Sequence, residues 1–272
     1  MVTTGLPEDE IWNSEIIDLL HPNVTCDHFE PFPISVYGAV GGLVGNNKPL
    51  VCGGWNQETG GNKKCFIVEN ELIEITEQLL EERYTNQAND ESTQKLINPW
   101  VCRYFGASVV LDGKLWITGG AGSPKTSEWI SLDQPPVKGP NLPMNFVNHC
   151  MTRINETHVI LIGGIDNNGQ TLIIDVANDF KMTAGPNLKF ARSGHACGTY
   201  STPYGNQVVV AGGEIYLRDN YTEIFLKSTE IWNPAIDMDW LQGTSLLKRQ
   251  DWQFQLNTIL LHYFRTRSPY PL

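Results

Sequence analysis

The sequence carries little charge, and little of that charge is positive. Only 18% of its 272 residues are charged, with 19 Lys and Arg against 30 Asp and Glu, a formal net charge of −11. Such a chain repels phosphate backbones, which argues against nucleic acid as a partner. No apolar run approaches the ~20 residues of a membrane-spanning helix, so no membrane insertion is expected. The opening MVTTGLPEDE has no basic stretch and no apolar core, and as written it does not read as a secretory signal. Compact catalytic signatures are missing too: there is no G-x-S-x-G elbow, no phosphate-binding loop and no H-E-x-x-H.

What the chain has is turns and short apolar runs. Gly (25) and Pro (16) are plentiful, and 41% of residues are hydrophobic. Val208, Val209, Val210 and Ala211 run straight into Gly212-Gly213. The run is too short for a self-burying helix and suits a strand covered on both faces. The pattern recurs: PLVCGGW ends at Gly53-Gly54, KLWITGGAG at Gly119-Gly120 and HVILIGGID at Gly163-Gly164, with a worn copy at Thr4-Gly5. First positions are spaced by 49 (4 to 53), 66 (53 to 119), 44 (119 to 163) and 49 (163 to 212) residues.

The flanks repeat as well. A small residue opens another apolar run 13–18 residues before each full pair, at Gly38, Gly106, Asn148 and Gly194. After each pair a polar loop leads to a third run: SEIIDL, KCFIVEN, SEWISLD, TLIIDVAND or TEIWNPAID. Return turns then share a pattern in VKGPNLP, MTAGPNL and WLQGTSL. Each unit therefore has three clear strands, a fourth implied, and a Gly/Pro return, which is one propeller blade. A glycine closing the second strand has no Cβ, so the next blade's backbone can come close and the chain can bend sharply.

A period near ~50 with these flanks resembles the kelch-repeat β-propeller family, with the blade architecture of galactose-oxidase-type central domains. The resemblance spans residues 1–245 and implies an all-β propeller of about five four-stranded blades. Residues 246–272 form a C-terminal segment with a candidate closing strand, 251–264, and a tail. The chain starts at a second strand, so two alternatives stand: five blades closed by the C-terminal strand, or an incomplete or truncated six-blade propeller. Of the Trp that usually precedes the return turn only Trp240 is present; Val137 and Met182 hold its place elsewhere. The 66-residue unit carries an insertion within 71–101. There EITEQLLEERY reads as a short helix or as the fourth strand and return, and TNQANDESTQ as an exposed loop.

Cys52 ends a second strand and Cys65 opens the third strand of the same unit, so the two are disulfide candidates. Asn23, Asn155 and Asn220 head Asn-x-Thr sequons at loops or strand ends and are glycosylation candidates. Together these features favour an extracellular or lumenal setting over the cytoplasm. His149 and His195 hold one column of neighbouring first strands, with Cys150 and Cys197 beside them. No close-spaced ligand pair accompanies them, and no metal or other cofactor is expected. Glu15, Glu128 and Glu230 recur in phase, which marks a structural role in each blade rather than one active site.

The reading is a non-catalytic scaffold, a monomer that binds another protein through loops and the channel mouth. By resemblance to kelch adaptors, the docking positions are Tyr37, Arg103, Tyr104, Asn148, Arg192 and Ser193, at the starts of first strands. Arg and Tyr are the types that anchor interfaces. Apolar residues of the loop 214–229 suggest a hairpin above its blade. Rival readings are a metal-dependent propeller oxidase, lyase or isomerase, and a ubiquitin-ligase adaptor whose second domain lies outside this chain.

Overall fold

Val208, Val209, Val210 and Ala211 form the end of a second strand and are buried one after another, at 0%, 1%, 0% and 7% exposure. Continuous burial without alternation means that both faces of the strand are covered. In a computed structural model of the chain, the described residues are 36–56, 58–62, 64–68, 72–75, 103–132, 134–165, 167, 169–217 and 222–246, together with three short strands nearer the N-terminus. They contain strands and turns and no helix. The chain divides into two compact units, Met1–Met144 and Asn145–Leu272.

In the first unit, β1 (Val2–Thr3), β2 (Ser14–Ile16) and β3 (Asp27–Phe29) pair antiparallel in that order. Blade I follows. Its first two strands are β4 (Val40–Val44) and β5 (Lys48–Cys52). A small hairpin, β6 (Trp55–Asn56) and β7 (Gly60–Gly61), then precedes β8 (Cys65–Val68) and β9 (Leu72–Ile75). The start of EITEQLLEERY is thus fourth strand; the rest of that stretch lies outside the described residues. Blade II is β10 (Ala107–Leu111), β11 (Lys114–Thr118), β12 (Ser127–Ile130) and β13 (Val137–Lys138). Between the two blades lies a core of Val40, Val44, Leu50, Ile67, Leu115, Ile117 and Ile130.

In the second unit, blade III is β14 (Cys150–Arg153), β15 (His158–Ile162), β16 (Thr171–Asp175) and β17 (Lys181–Ala184). Blade IV begins with β18 (Ala196–Thr202) and β19 (Gly205–Ala211). The hairpin expected after Gly213 forms from β20 (Glu214–Leu217) and β21 (Thr222–Phe225), and the blade ends with β22 (Thr229–Trp232) and β23 (Leu241–Gln242). Ile160, Ile162, Val208, Val210, Trp232 and Trp240 build this unit's core. Trp240, at the position the resemblance reserves for Trp, is fully buried and its Nε1 donates to the Pro186 carbonyl at 2.8 Å. All four blades are antiparallel meanders in strand order, the topology of a β-propeller blade. The candidate closing strand 251–264 lies outside the described residues.

The return turns are pinned alike. Ser127, Thr171 and Thr229 open the third strands of blades II–IV and donate their hydroxyls to the carbonyls of Pro140, Pro186 and Thr244. In blade I, strand pairing puts Cys65 at that position opposite Cys52, as Ser127 stands opposite Thr118.

Candidate functional site

The end of each blade where the first strand opens and the second strand stops carries the docking positions expected from sequence. Gly38, Phe105, Asn148 and Gly194 share a left-handed backbone there, with φ of 67°, 57°, 59° and 58°. In blade II the left-handed residue is Phe105, not Gly106. Gly106 instead passes the second strand, where an added Cβ would meet the Thr118 carbonyl oxygen at 3.1 Å.

The first glycine of the pair meets the following blade. A Cβ on Gly53 would stand 2.7 Å from the Arg103 carbonyl oxygen, and one on Gly163 would stand 2.6 Å from that of Arg192. The second glycine donates its N–H across the same gap: Gly54 to Arg103 O at 3.1 Å, and Gly164 to Arg192 O at 2.9 Å.

The first glycine's own carbonyl also needs a donor, and the blades meet that need in two ways. In blade I, Asn62 Nδ2 donates to Gly53 O at 3.0 Å, and in blade III, Asn167 Nδ2 donates to Gly163 O at 2.9 Å. In blade II the donor is Arg103 Nη1, 2.7 Å from Gly119 O, and in blade IV it is Arg192 Nη1, 2.8 Å from Gly212 O. Each buried guanidinium brings a carboxylate. Arg103 Nε donates to Glu128 at 2.8 Å, and Arg192 Nη2 to Glu230 at 2.9 Å. Burial lowers both guanidinium pKa values, while Glu128 and Glu230 hold them up. Both guanidiniums stay charged. Where the Asn solution operates, the Arg position is Val36 or Phe146 and the Glu position is Phe66 or Leu172.

Arg103 and Arg192 are therefore only 3% and 2% exposed, with their guanidiniums engaged inside their own blades. Asn148 is buried too, and its Oδ1 has no hydrogen-bond partner among the described residues. Ser193 is buried and exchanges two backbone hydrogen bonds of 2.9 Å with Glu214 at the base of the β20–β21 hairpin. Tyr37 and Tyr104 are the half-buried members of the set, and they come together with two rings not anticipated from sequence. Trp55 lies 4.7 Å from Tyr104, Tyr104 5.3 Å from Phe105 and Phe105 5.8 Å from Tyr37, between ring centroids. Backbone bonds of 3.0 and 2.8 Å between Tyr37 and Trp55 fix this end of blade I. All four side chains are part-exposed.

His149 and His195 stand at equivalent places on neighbouring first strands, both 4% exposed. His195 is held well below the usual imidazole range, first by burial and then by Arg192 and His149. Among the described residues, no group of three or more His, Cys, Asp or Glu is placed to hold a metal ion.

The sulfurs of Cys52 and Cys65 are bonded across β5 and β8, as expected from sequence. A second disulfide, Cys150–Cys197, joins the first strands of blades III and IV, Cα atoms 5.9 Å apart, and was not anticipated. Asn155 lies exposed in the β14–β15 turn. Asn23 and Asn220 lie outside the described residues. No described helix is long and apolar enough to cross a membrane.

No family model matches the sequence, and no curated protein matches it significantly. Solved structures do share the fold. Among them, the structure of YjhT is similar with a TM-score of 0.63 at 13% identity, over 85% of this chain and 78% of that one. At that identity the likeness shows a common fold and says nothing of activity.

Proposed function

We propose that this protein is a kelch-type propeller that binds another protein and performs no catalysis of its own. The observation that carries the reading is the cluster of Trp55, Tyr104, Phe105 and Tyr37, four part-exposed rings supplied by two successive blades and held on rigid strands. Aromatic side chains on a fixed scaffold give large contact area at small entropic cost, the character of interface hot spots. The kelch assignment is supported by the repeat, the glycine pairs and the matched return turns. The three-stranded sheet β1–β3 fits the worn copy at Thr4-Gly5 as a further blade, with β1 in the second-strand place. Two disulfides support an extracellular or lumenal setting.

In this reading Tyr37 and Tyr104 contact the partner by side chain. Arg103 holds that aromatic rim from beneath, and Asn148, Arg192 and Ser193 hold the corresponding strand openings of the second unit. The test is photo-crosslinking in the producing cells from a reactive aromatic placed at position 55 or 104. The reading expects one defined protein crosslinked from both positions. Scattered or absent crosslinks from both would refute it.

A further inference from the structure

We propose that Asn155 carries an N-linked glycan, at the end of blade III remote from the strand openings. Its sequon, Asn155-Glu156-Thr157, is the turn between β14 and β15, and all three residues are exposed while the preceding Ile154 is buried. The Asn155 carboxamide is organised by the turn. Its Oδ1 accepts the backbone N–H groups of Thr157 at 2.9 Å and His158 at 2.8 Å, and the Thr157 hydroxyl at 3.2 Å. His158 Nδ1 lies 3.3 Å from the same oxygen and 2.9 Å from Thr157 Oγ1.

Two consequences follow from this arrangement. The carboxamide oxygen is wholly occupied by the turn, whereas Nδ2, the atom that takes the sugar, donates to no described residue and belongs to an exposed side chain. The turn is also held through the oxygen and the backbone, so replacing one Nδ2 hydrogen by a sugar breaks none of these bonds. Because β14 starts at Cys150 and the turn follows Arg153, the sugar stands a full strand length from the opening of blade III. The disulfides in both units fit a chain that meets the same oxidising compartment.

The chemistry is transfer of an oligosaccharide from a polyprenyl-diphosphate donor by the host's oligosaccharyltransferase. A bond forms between Asn155 Nδ2 and the anomeric carbon, the bond from that carbon to the diphosphate oxygen breaks, the polyprenyl diphosphate leaves, and Nδ2 gives up one proton. No oxidant or reductant is involved. The hydroxyl at position 157 is the second element the transferase reads.

The test is peptide mass spectrometry of the full chain isolated from the cells that make it. Peptide-N-glycosidase treatment in heavy-oxygen water should convert Asn155 to a labelled Asp. Thr157→Ala should abolish the glycan and leave the Asn155 backbone bonds in place, while Thr157→Ser should retain it. Asn155 found unmodified in the natural protein overturns the proposal, as does a glycan that persists in Thr157→Ala. Equal thermal melting of Thr157→Ala and Thr157→Ser shows that a lost glycan reflects recognition and not misfolding.

Discussion

Asn62 and Arg103 perform one task in consecutive blades: Asn62 Nδ2 caps the Gly53 carbonyl at 3.0 Å and Arg103 Nη1 caps the Gly119 carbonyl at 2.7 Å. Asn is neutral and sufficient alone, whereas Arg carries a charge into the blade and requires Glu128 beside it. Arg103→Met therefore strands a buried carboxylate and should cost about 3–5 kcal/mol. Adding Glu128→Leu should restore part of that, leaving mainly the unpaired carbonyl at about 1–3 kcal/mol. A double-mutant cycle by urea unfolding reads the coupling. Additive losses would mean that the pair is not a unit.

Gly53 and Gly45 separate close approach from backbone conformation. Both have positive φ, 72° and 52°, but a Cβ on Gly45 finds Leu132 Cδ1 at an ordinary 3.6 Å while one on Gly53 meets a backbone oxygen at 2.7 Å. Gly45→Ala should cost only the left-handed strain of about 1–2 kcal/mol. Gly53→Ala should cost at least about 2 kcal/mol more, because blade II must move. Equal losses in chemical denaturation would remove close packing as the reason for that glycine.

The two disulfides close chain segments of different length, with sequence separations of 13 and 47 residues. Loop-closure entropy assigns about 3 kcal/mol to Cys52–Cys65 and about 4 kcal/mol to Cys150–Cys197. Replacing both cysteines of each pair by Ser should therefore destabilise the chain in that order. Free thiols at all four positions in protein alkylated at harvest would instead place the chain in a reducing compartment.

His195 makes the second unit acid-sensitive. Its imidazole titrates near 6.5 when unfolded and well below that when folded. Between the two values the unfolded chain holds the extra proton, so stability falls as pH drops below about 6.5, by at most about 1.4 kcal/mol per pH unit. His195→Gln should flatten that slope in denaturant titrations at pH 7.5 and pH 5.5, whatever its effect at neutral pH. An unchanged slope would assign the acid sensitivity elsewhere.

The blades are legible in the sequence because their second strands read as apolar runs ending at glycine, and in blades II–IV those runs are buried on both faces. Cys52–Cys65 is legible for a related reason: adjacent strands of one blade fix which residues stand opposite. Cys150–Cys197 joins two blades, and the offset between neighbouring first strands leaves no mark in the repeat period. Arg103 and Arg192 read as docking residues because locally they only precede strands. Their carboxylates lie 25 and 38 residues downstream, across loops of unequal length. A signal was nevertheless present: Glu128 and Glu230 stand in the third strands of the two blades that open with Arg, and Phe66 and Leu172 stand in the others. Trp55 is not legible as a rim residue, because a residue just after a glycine pair looks like part of the turn.

The central claim, protein binding through the aromatic rim, is tested most directly by quantitative affinity capture from native extract with three baits. These are the natural chain, Tyr104→Ala, and Tyr204→Ala as a control at an exposed Tyr in the β18–β19 turn. With melting temperatures matched, a defined partner should be held by the natural chain and by Tyr204→Ala and lost at least tenfold from Tyr104→Ala, a loss of about 1.4 kcal/mol or more. Equal retention on Tyr104→Ala would contradict the account.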